Sequence, residues 1–156
     1  MLPPIFCGYG GQSALNELRL QPEREPNTVL SWSELYKPLI LCVDDDEEIL
    51  DLMRVALESK NYRVLTSSDG FTALQAFAIC PIDAGILDHE MPGMDGVELA
   101  REMMRIKPKI PKLLFSGDPR LHHEGSKEFQ GYCAKPNGLS ALPMQISAMT
   151  SLARTA

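Results

Sequence analysis

Leu39-Ile40-Leu41-Cys42-Val43 is an unbroken apolar run of strand length that stops at three consecutive aspartates, Asp44, Asp45 and Asp46. A run without polar alternation suits a strand buried on both faces, and such strands belong to parallel sheets covered by helices. After the aspartates, Ile49, Leu52, Met53, Ala56 and Leu57 recur at helical spacing. Asp46 is placed to cap that helix. Glu47 and Glu48 fall in its first turn, where carboxylates meet the positive end of the helix dipole.

The pattern of strand, loop and helix repeats. Arg63 to Ser67 reads as a second strand, and Ala73, Leu74, Phe77 and Ala78 as the apolar side of a second helix ending before Pro81. Ile82 to Leu87 is the third strand, although Ala84 and Gly85 have low strand propensity. Val97, Ala100, Met103, Met104 and Ile106 mark a third helix stopped by Pro108, and Lys112 to Phe115 a fourth strand. Tyr132 to Ala134 is part of a fifth. Leu139, Leu142, Ile146 and Met149 mark a final helix, whose Pro143 is tolerable only in the first turn. Strands and helices alternating at this pitch require right-handed crossovers and a doubly wound parallel α/β sheet.

Residues 1–37 have a different character, with Pro3, Pro4, Pro22, Pro26, a Gly-Tyr-Gly-Gly cluster and one short helical possibility from Ser13 to Leu20. They are expected to form a poorly ordered extension, or to reflect a gene start set too early, with a single domain over residues 38–156. The formal net charge of −6 argues against direct DNA binding, which needs clustered Lys and Arg. No apolar run reaches the length of about 18 residues that a membrane helix needs, and the start lacks the basic residues of a signal peptide. Cys7, Cys42, Cys80 and Cys133 are widely spaced and form no Cys-x-x-Cys pair. They read as reduced cysteines, so a cytoplasmic location without membrane insertion is expected.

In a doubly wound sheet, ligands bind outside the carboxyl ends of the strands, where the strand order reverses. Those ends carry Asp44 and Asp45 after the first strand, Asp88 after the third, Ser116 after the fourth and Lys135 after the fifth. Three gathered carboxylates repel one another unless a cation is present, and an oxygen-only site with room for water suits Mg²⁺. Such a site, with Lys135 on its other side, would cradle the oxygens of a phosphoryl group in transfer. Asp88, nearest the centre, would be the nucleophile that becomes an acyl phosphate, and Ser116 would donate a hydrogen bond to a phosphoryl oxygen.

The residues Val43-Asp44-Asp45, Asp88-x-x-Met91-Pro92-x-x-x-Gly96, Ser116-Gly117 and Lys135-Pro136 resemble those of the receiver domain of bacterial two-component response regulators. The resemblance covers about Leu39 to Leu152. It implies a flavodoxin-like five-stranded sheet of order 2-1-3-4-5, and phosphorylation of Asp88 by the phosphohistidine of a sensor histidine kinase or histidine phosphotransfer protein. It further implies Asp45, Asp88 and the backbone carbonyl of Glu90 as direct Mg²⁺ ligands, with Asp44 assisting through water. Ser116 and Tyr132 would be the switch pair, Glu90 and Asp118 would tune dephosphorylation, and the Lys135-Pro136 bond would be cis.

Several residues depart from the family pattern. His89 follows Asp88 where an apolar or aromatic residue is usual, and is expected to be an exposed, uninvolved imidazole. The segment between Ser116 and Lys135 is short and carries Pro119 and Gly125, so the fourth helix should be short, distorted or missing. His122-His123-Glu124 is read as a solvated loop and Asn137 as a cap of the last helix. Only about ten residues follow Ile146, so the expectation is a stand-alone receiver whose downstream protein partner is unspecified. Two other readings stay open. One is a pseudo-receiver binding module that is never phosphorylated. The other is a haloacid-dehalogenase-like phosphatase, with Asp44 as nucleophile and Asp46 as acid and base.

Overall fold

The computed structural model describes residues 36–122, 127–135 and 137–155. The expected extension up to residue 35, the short helix within it, His123, Glu124 and the peptide bond to Pro136 lie outside the described residues.

Five strands form one parallel sheet: β1 (Leu39–Val43), β2 (Arg63–Ser67), β3 (Ala84–Asp88), β4 (Lys112–Ser116) and β5 (Gly131–Ala134), in the order β2-β1-β3-β4-β5. Among the described residues four α-helices accompany them: α1 (Glu47–Glu58), α2 (Gly70–Ile79), α3 (Gly96–Ile106) and α4 (Leu142–Thr155). The strand residues alternate between two cores. Ile40, Cys42, Ile86, Leu113 and Phe115 pack with Leu50, Met53 and Leu57 of α1 and with Leu142, Ile146 and Met149 of α4. Leu41, Val43 and Leu87 face the other way, onto Ala73 and Phe77 of α2 and Leu99, Ala100 and Met103 of α3. The sheet is thus covered on both sides, as its continuous apolar strands require.

The helix starts follow from their caps. Asp46 accepts hydrogen bonds from the Glu48 and Ile49 backbone nitrogens at 2.9 and 3.4 Å, as expected. Asp69 does the same for Thr72, and Asp95 forms a capping box with Glu98 at the head of α3. At the other end of α3, Lys107 extends its Nζ to the Phe77 and Cys80 carbonyls at 2.7 and 2.8 Å and lies over the Phe77 ring. It therefore satisfies carbonyls at the end of α2 from the neighbouring helix.

Three details differ from the sequence reading. On α1 the inward residue is Leu50, while Leu52 is 51% exposed. On α3 Leu99 is buried and Ile106 exposed. Strand β3 begins at Ala84 rather than Ile82 because Asp83 is occupied as an anchor: its nitrogen donates to the Leu39 carbonyl, and its carboxylate accepts from the Leu39 nitrogen and the Tyr36 hydroxyl. Between β4 and β5 the described residues hold one 3-10 turn, Pro119–His122, where a helix is usual in such sheets. Phe129 packs against the second core, and Glu128 pairs with Arg101 of α3 at 3.5 Å. Asn137 opens a 3-10 turn, Asn137–Ser140, ahead of α4, and its side chain, on which the expected cap depends, lies outside the described residues. Pro143 lies in the first turn of α4.

Candidate functional site

The strand order reverses between β1 and β3, and the site forms there. Asp44 follows β1 and Asp88 ends β3, so the two acids sit on adjacent strands. Carboxylate oxygens of Asp44, Asp45 and Asp88 all lie within 4.8 Å of one another. Asp44 is fully buried and Asp88 nearly so, whereas Asp45 is exposed. From the end of β5, Lys135 extends Nζ to Asp44 Oδ2 at 2.7 Å and to Asp88 Oδ1 at 2.9 Å. The same ammonium lies 5.3 Å from the centre of the Phe115 ring.

These residues line a cleft of about 550 Å³ that also includes Asp46, Glu90, Ser116, Gly117 and Asp118. Every candidate side chain at the strand ends is therefore in one place. Tyr132 lies beside it. Its hydroxyl donates to the Ser116 carbonyl at 3.2 Å and the Asp118 carbonyl at 2.9 Å, linking β5 to the loop after β4. Ser116 Oγ accepts from the Asp118 nitrogen at 3.1 Å.

Burial sets the electrostatics. Desolvation pushes the Asp88 carboxyl above its ordinary value, with the Lys135 hydrogen bond opposing and the Asp44 charge adding to the rise. For Lys135, burial works to lower the pKa, but the hydrogen bonds and charges of Asp44 and Asp88 outweigh it and hold the ammonium above the usual lysine value. Two carboxylates thus share one cation, and a further positive charge is electrostatically welcome. Oxygen ligands in an open cleft match the donor preference of Mg²⁺, which takes carboxylates together with water and phosphate oxygens.

Three residues contribute in ways the sequence did not reveal. Gly96, the first residue of α3, packs so closely under β3 that a Cβ there would clash with the Asp88 carbonyl oxygen. Its nitrogen donates to the His89 carbonyl at 3.1 Å. Arg120 grips Asp118 through Nε and Nη2 at 2.7–3.1 Å. His89 is not the exposed imidazole expected: it is half-buried, and its Nδ1 is buried without a hydrogen-bond partner among the described residues. Its position just past the buried end of β3 accounts for this.

Comparison with known proteins places this geometry. The model of the response regulator receiver domain matches residues 40–146. A putative two-component response regulator of Arabidopsis thaliana, ARR21, is 34% identical over 107 residues, covering 67% of this chain and 18% of that protein. The sensor histidine kinase GacS of Pseudomonas protegens is 40% identical over 93 residues, covering 58% of this chain and 10% of that protein. The response regulator GtcR of Aneurinibacillus migulanus is 33% identical over 81 residues, covering 52% of this chain and 33% of that protein. The chain thus spans a third or less of the length of these curated relatives. Among solved structures, the response regulator TrrA from Thermotoga maritima in complex with Mg(2+)-BeF is 28% identical with a TM-score of 0.67, covering 72% of this chain and 98% of that one. A receiver domain from Clostridium thermocellum is 27% identical with a TM-score of 0.70, covering 76% and 98%. With its sheet order, its strand-end acids and a family model spanning residues 40–146, this chain belongs to the response regulator receiver domain family, a family of phosphorylation-type signalling.

Proposed function

We propose that Asp88 is the phosphoacceptor of this receiver, that it takes its phosphoryl group from a phosphohistidine of a sensor histidine kinase or histidine phosphotransfer protein, and that the reaction requires Mg²⁺. The observation carrying this is the grouping of the Asp44, Asp45 and Asp88 carboxylates within 4.8 Å, with Lys135 Nζ 2.9 Å from Asp88. An Asp88 oxygen attacks phosphorus, and the bond to the donor imidazole nitrogen breaks as that nitrogen keeps the electron pair. Lys135 and Ser116 stand where they would face the phosphoryl oxygens. Asp45, Asp88 and the Glu90 carbonyl would hold Mg²⁺ directly and Asp44 through water; the ion supplies neutralisation of charge on the transferring group.

The switch is proposed to run through Ser116 and Tyr132, with the Lys135-Pro136 bond cis. Tyr132 bonds two carbonyls of the loop that carries Ser116, so displacement of that loop toward the phosphoryl group would draw the Tyr132 ring with it. A downstream protein would then read the new charge of about −1.5 to −2. Glu90 and Asp118, both on the cleft wall, would tune water access to the acyl phosphate. If so, Glu90→Ala and Asp118→Ala change the decay of the phosphorylated protein; unchanged lifetimes remove that role.

Label from acetyl phosphate or a cognate kinase with Mg²⁺ is expected on Asp88. Label on Asp44 would favour the phosphatase reading, and none at all a pseudo-receiver. Against the phosphatase stands Asp46, which that reading needs as acid and base: its oxygen is engaged by two backbone nitrogens of α1.

A further inference from the structure

At the lip of the cleft, Arg120 Nε lies 3.0 and 3.1 Å from the two Asp118 oxygens, and Nη2 2.7 Å from one of them. The Arg120 backbone nitrogen adds a fourth contact at 2.9 Å. The Arg120 side chain is 86% exposed and that of Asp118 22%, so the carboxylate belongs to the cleft wall and the guanidinium covers it from outside. The carboxyl is held at about 2, chiefly by the Arg120 hydrogen bonds. Among the described residues, the cleft it joins carries Asp44, Asp45, Asp46, Asp88 and Glu90 against the ammonium of Lys135. Any phosphodonor is an anion and must enter this field.

Resting on the reading of Asp88 as phosphoacceptor, we infer that Arg120 is a positioning residue that masks the Asp118 charge and so sets the potential met by phosphodonor and metal at the cleft mouth. A mask of this kind acts with opposite sign on anions and cations, because both respond to one local charge. A residue that merely shaped the loop would not. In the step concerned, Asp88 forms an O–P bond with acetyl phosphate while the donor's own O–P bond breaks and acetate leaves with the electron pair.

The full chain and four variants test this: Arg120→Ala, Arg120→Lys, Asp118→Asn, and Arg120→Ala combined with Asp118→Asn. Phosphorylation is measured with subsaturating acetyl phosphate at saturating Mg²⁺, and Mg²⁺ affinity separately by calorimetry without donor. Arg120→Ala is expected to slow phosphorylation and tighten Mg²⁺ binding, each by about two- to fivefold, the scale of one exposed charge pair. Asp118→Asn should do the reverse, and the combined variant should move back toward wild type in both readouts. Arg120→Lys should recover part of the effect, since lysine lacks the two-pronged grip. All differences should shrink as salt shortens the screening length. Rate and affinity moving in the same direction in Arg120→Ala, or no recovery in the combined variant, overturns the mask. Wild-type protein that takes no label on Asp88 instead overturns the phosphoacceptor reading, while the Mg²⁺ titrations still report on the mask.

Discussion

Replacing Asp88 by asparagine should stabilise the metal-free protein, and the size of the gain can be worked from the site. Oxygens of Asp44 and Asp45 lie within 4.8 Å of one from Asp88. At an effective dielectric of about 20, the repulsion from the buried Asp44 is about 3.5 kcal/mol or more, while water screens that from the exposed Asp45. Lys135 at 2.9 Å attracts the same carboxylate by about 6 kcal/mol on that scale. The cost of burying the charge is the largest effect and, with the Asp44 repulsion, outweighs that attraction. Urea or thermal unfolding in chelator at neutral pH should show Asp88→Asn more stable by about 1–2 kcal/mol, or about 3–5 °C per kcal/mol in Tm. Because burial raises the folded-state value, the folded protein binds the proton more readily than the unfolded chain. Wild-type stability thus falls as pH rises through the raised value, and the variant's advantage is absent below the ordinary 3.8. Mg²⁺ at a hundredfold its Kd adds about 2.7 kcal/mol to a protein that binds it, so the order of stabilities should reverse in excess metal. A variant less stable than wild type in chelator, or an order indifferent to Mg²⁺, would refute the account of the site as two carboxylates too many for one ammonium.

Gly96→Ala should cost about 1–3 kcal/mol in denaturant and slow labelling of Asp88, because the added methyl meets the Asp88 carbonyl and must displace that backbone; a variant with unaltered stability and labelling would disprove that contact. Cys42, whose thiol burial pushes up to about 12 with only a small opposing influence from Arg54, should resist thiol reagents at pH 8 until the protein unfolds. Mass mapping that finds Cys42 modified as fast as the half-buried Cys80 would contradict it. Lys107→Met should destabilise by about 1–2 kcal/mol, since two carbonyls at the end of α2 lose their donor; an unchanged denaturation midpoint would count against the brace.

Most strands were readable as short apolar runs, and their order followed from the resemblance of the strand-end motifs to receiver domains. The acids and the lysine were readable for a related reason: strand ends in such a sheet converge, so residues 91 positions apart, Lys135 and Asp44, could be expected to meet. Helix phase was harder. On α1, Ile49, Leu50, Leu52 and Met53 are all apolar, and only the packed structure selects Leu50 over Leu52. Lys112 also escaped, since a strand residue with an ammonium is not an obvious core member. It is fully buried, its Nζ donating to the Ile110 carbonyl, and burial lowers its pKa. The grip of Arg120 on Asp118 needed coordinates because residues two apart can face any direction in an irregular turn.

The reach of Lys107 across two helices gives the domain an uneven compliance. On one flank of β3, α2 and α3 are joined through backbone carbonyls and a shared core, so a push from Asp88 finds little give there. On the other flank, the described residues after β4 offer a single 3-10 turn, held to β5 by the Tyr132 hydroxyl. A displacement arising at the acid would meet the Tyr132 hydroxyl and its two carbonyls on that flank, and the Lys107 brace on the other.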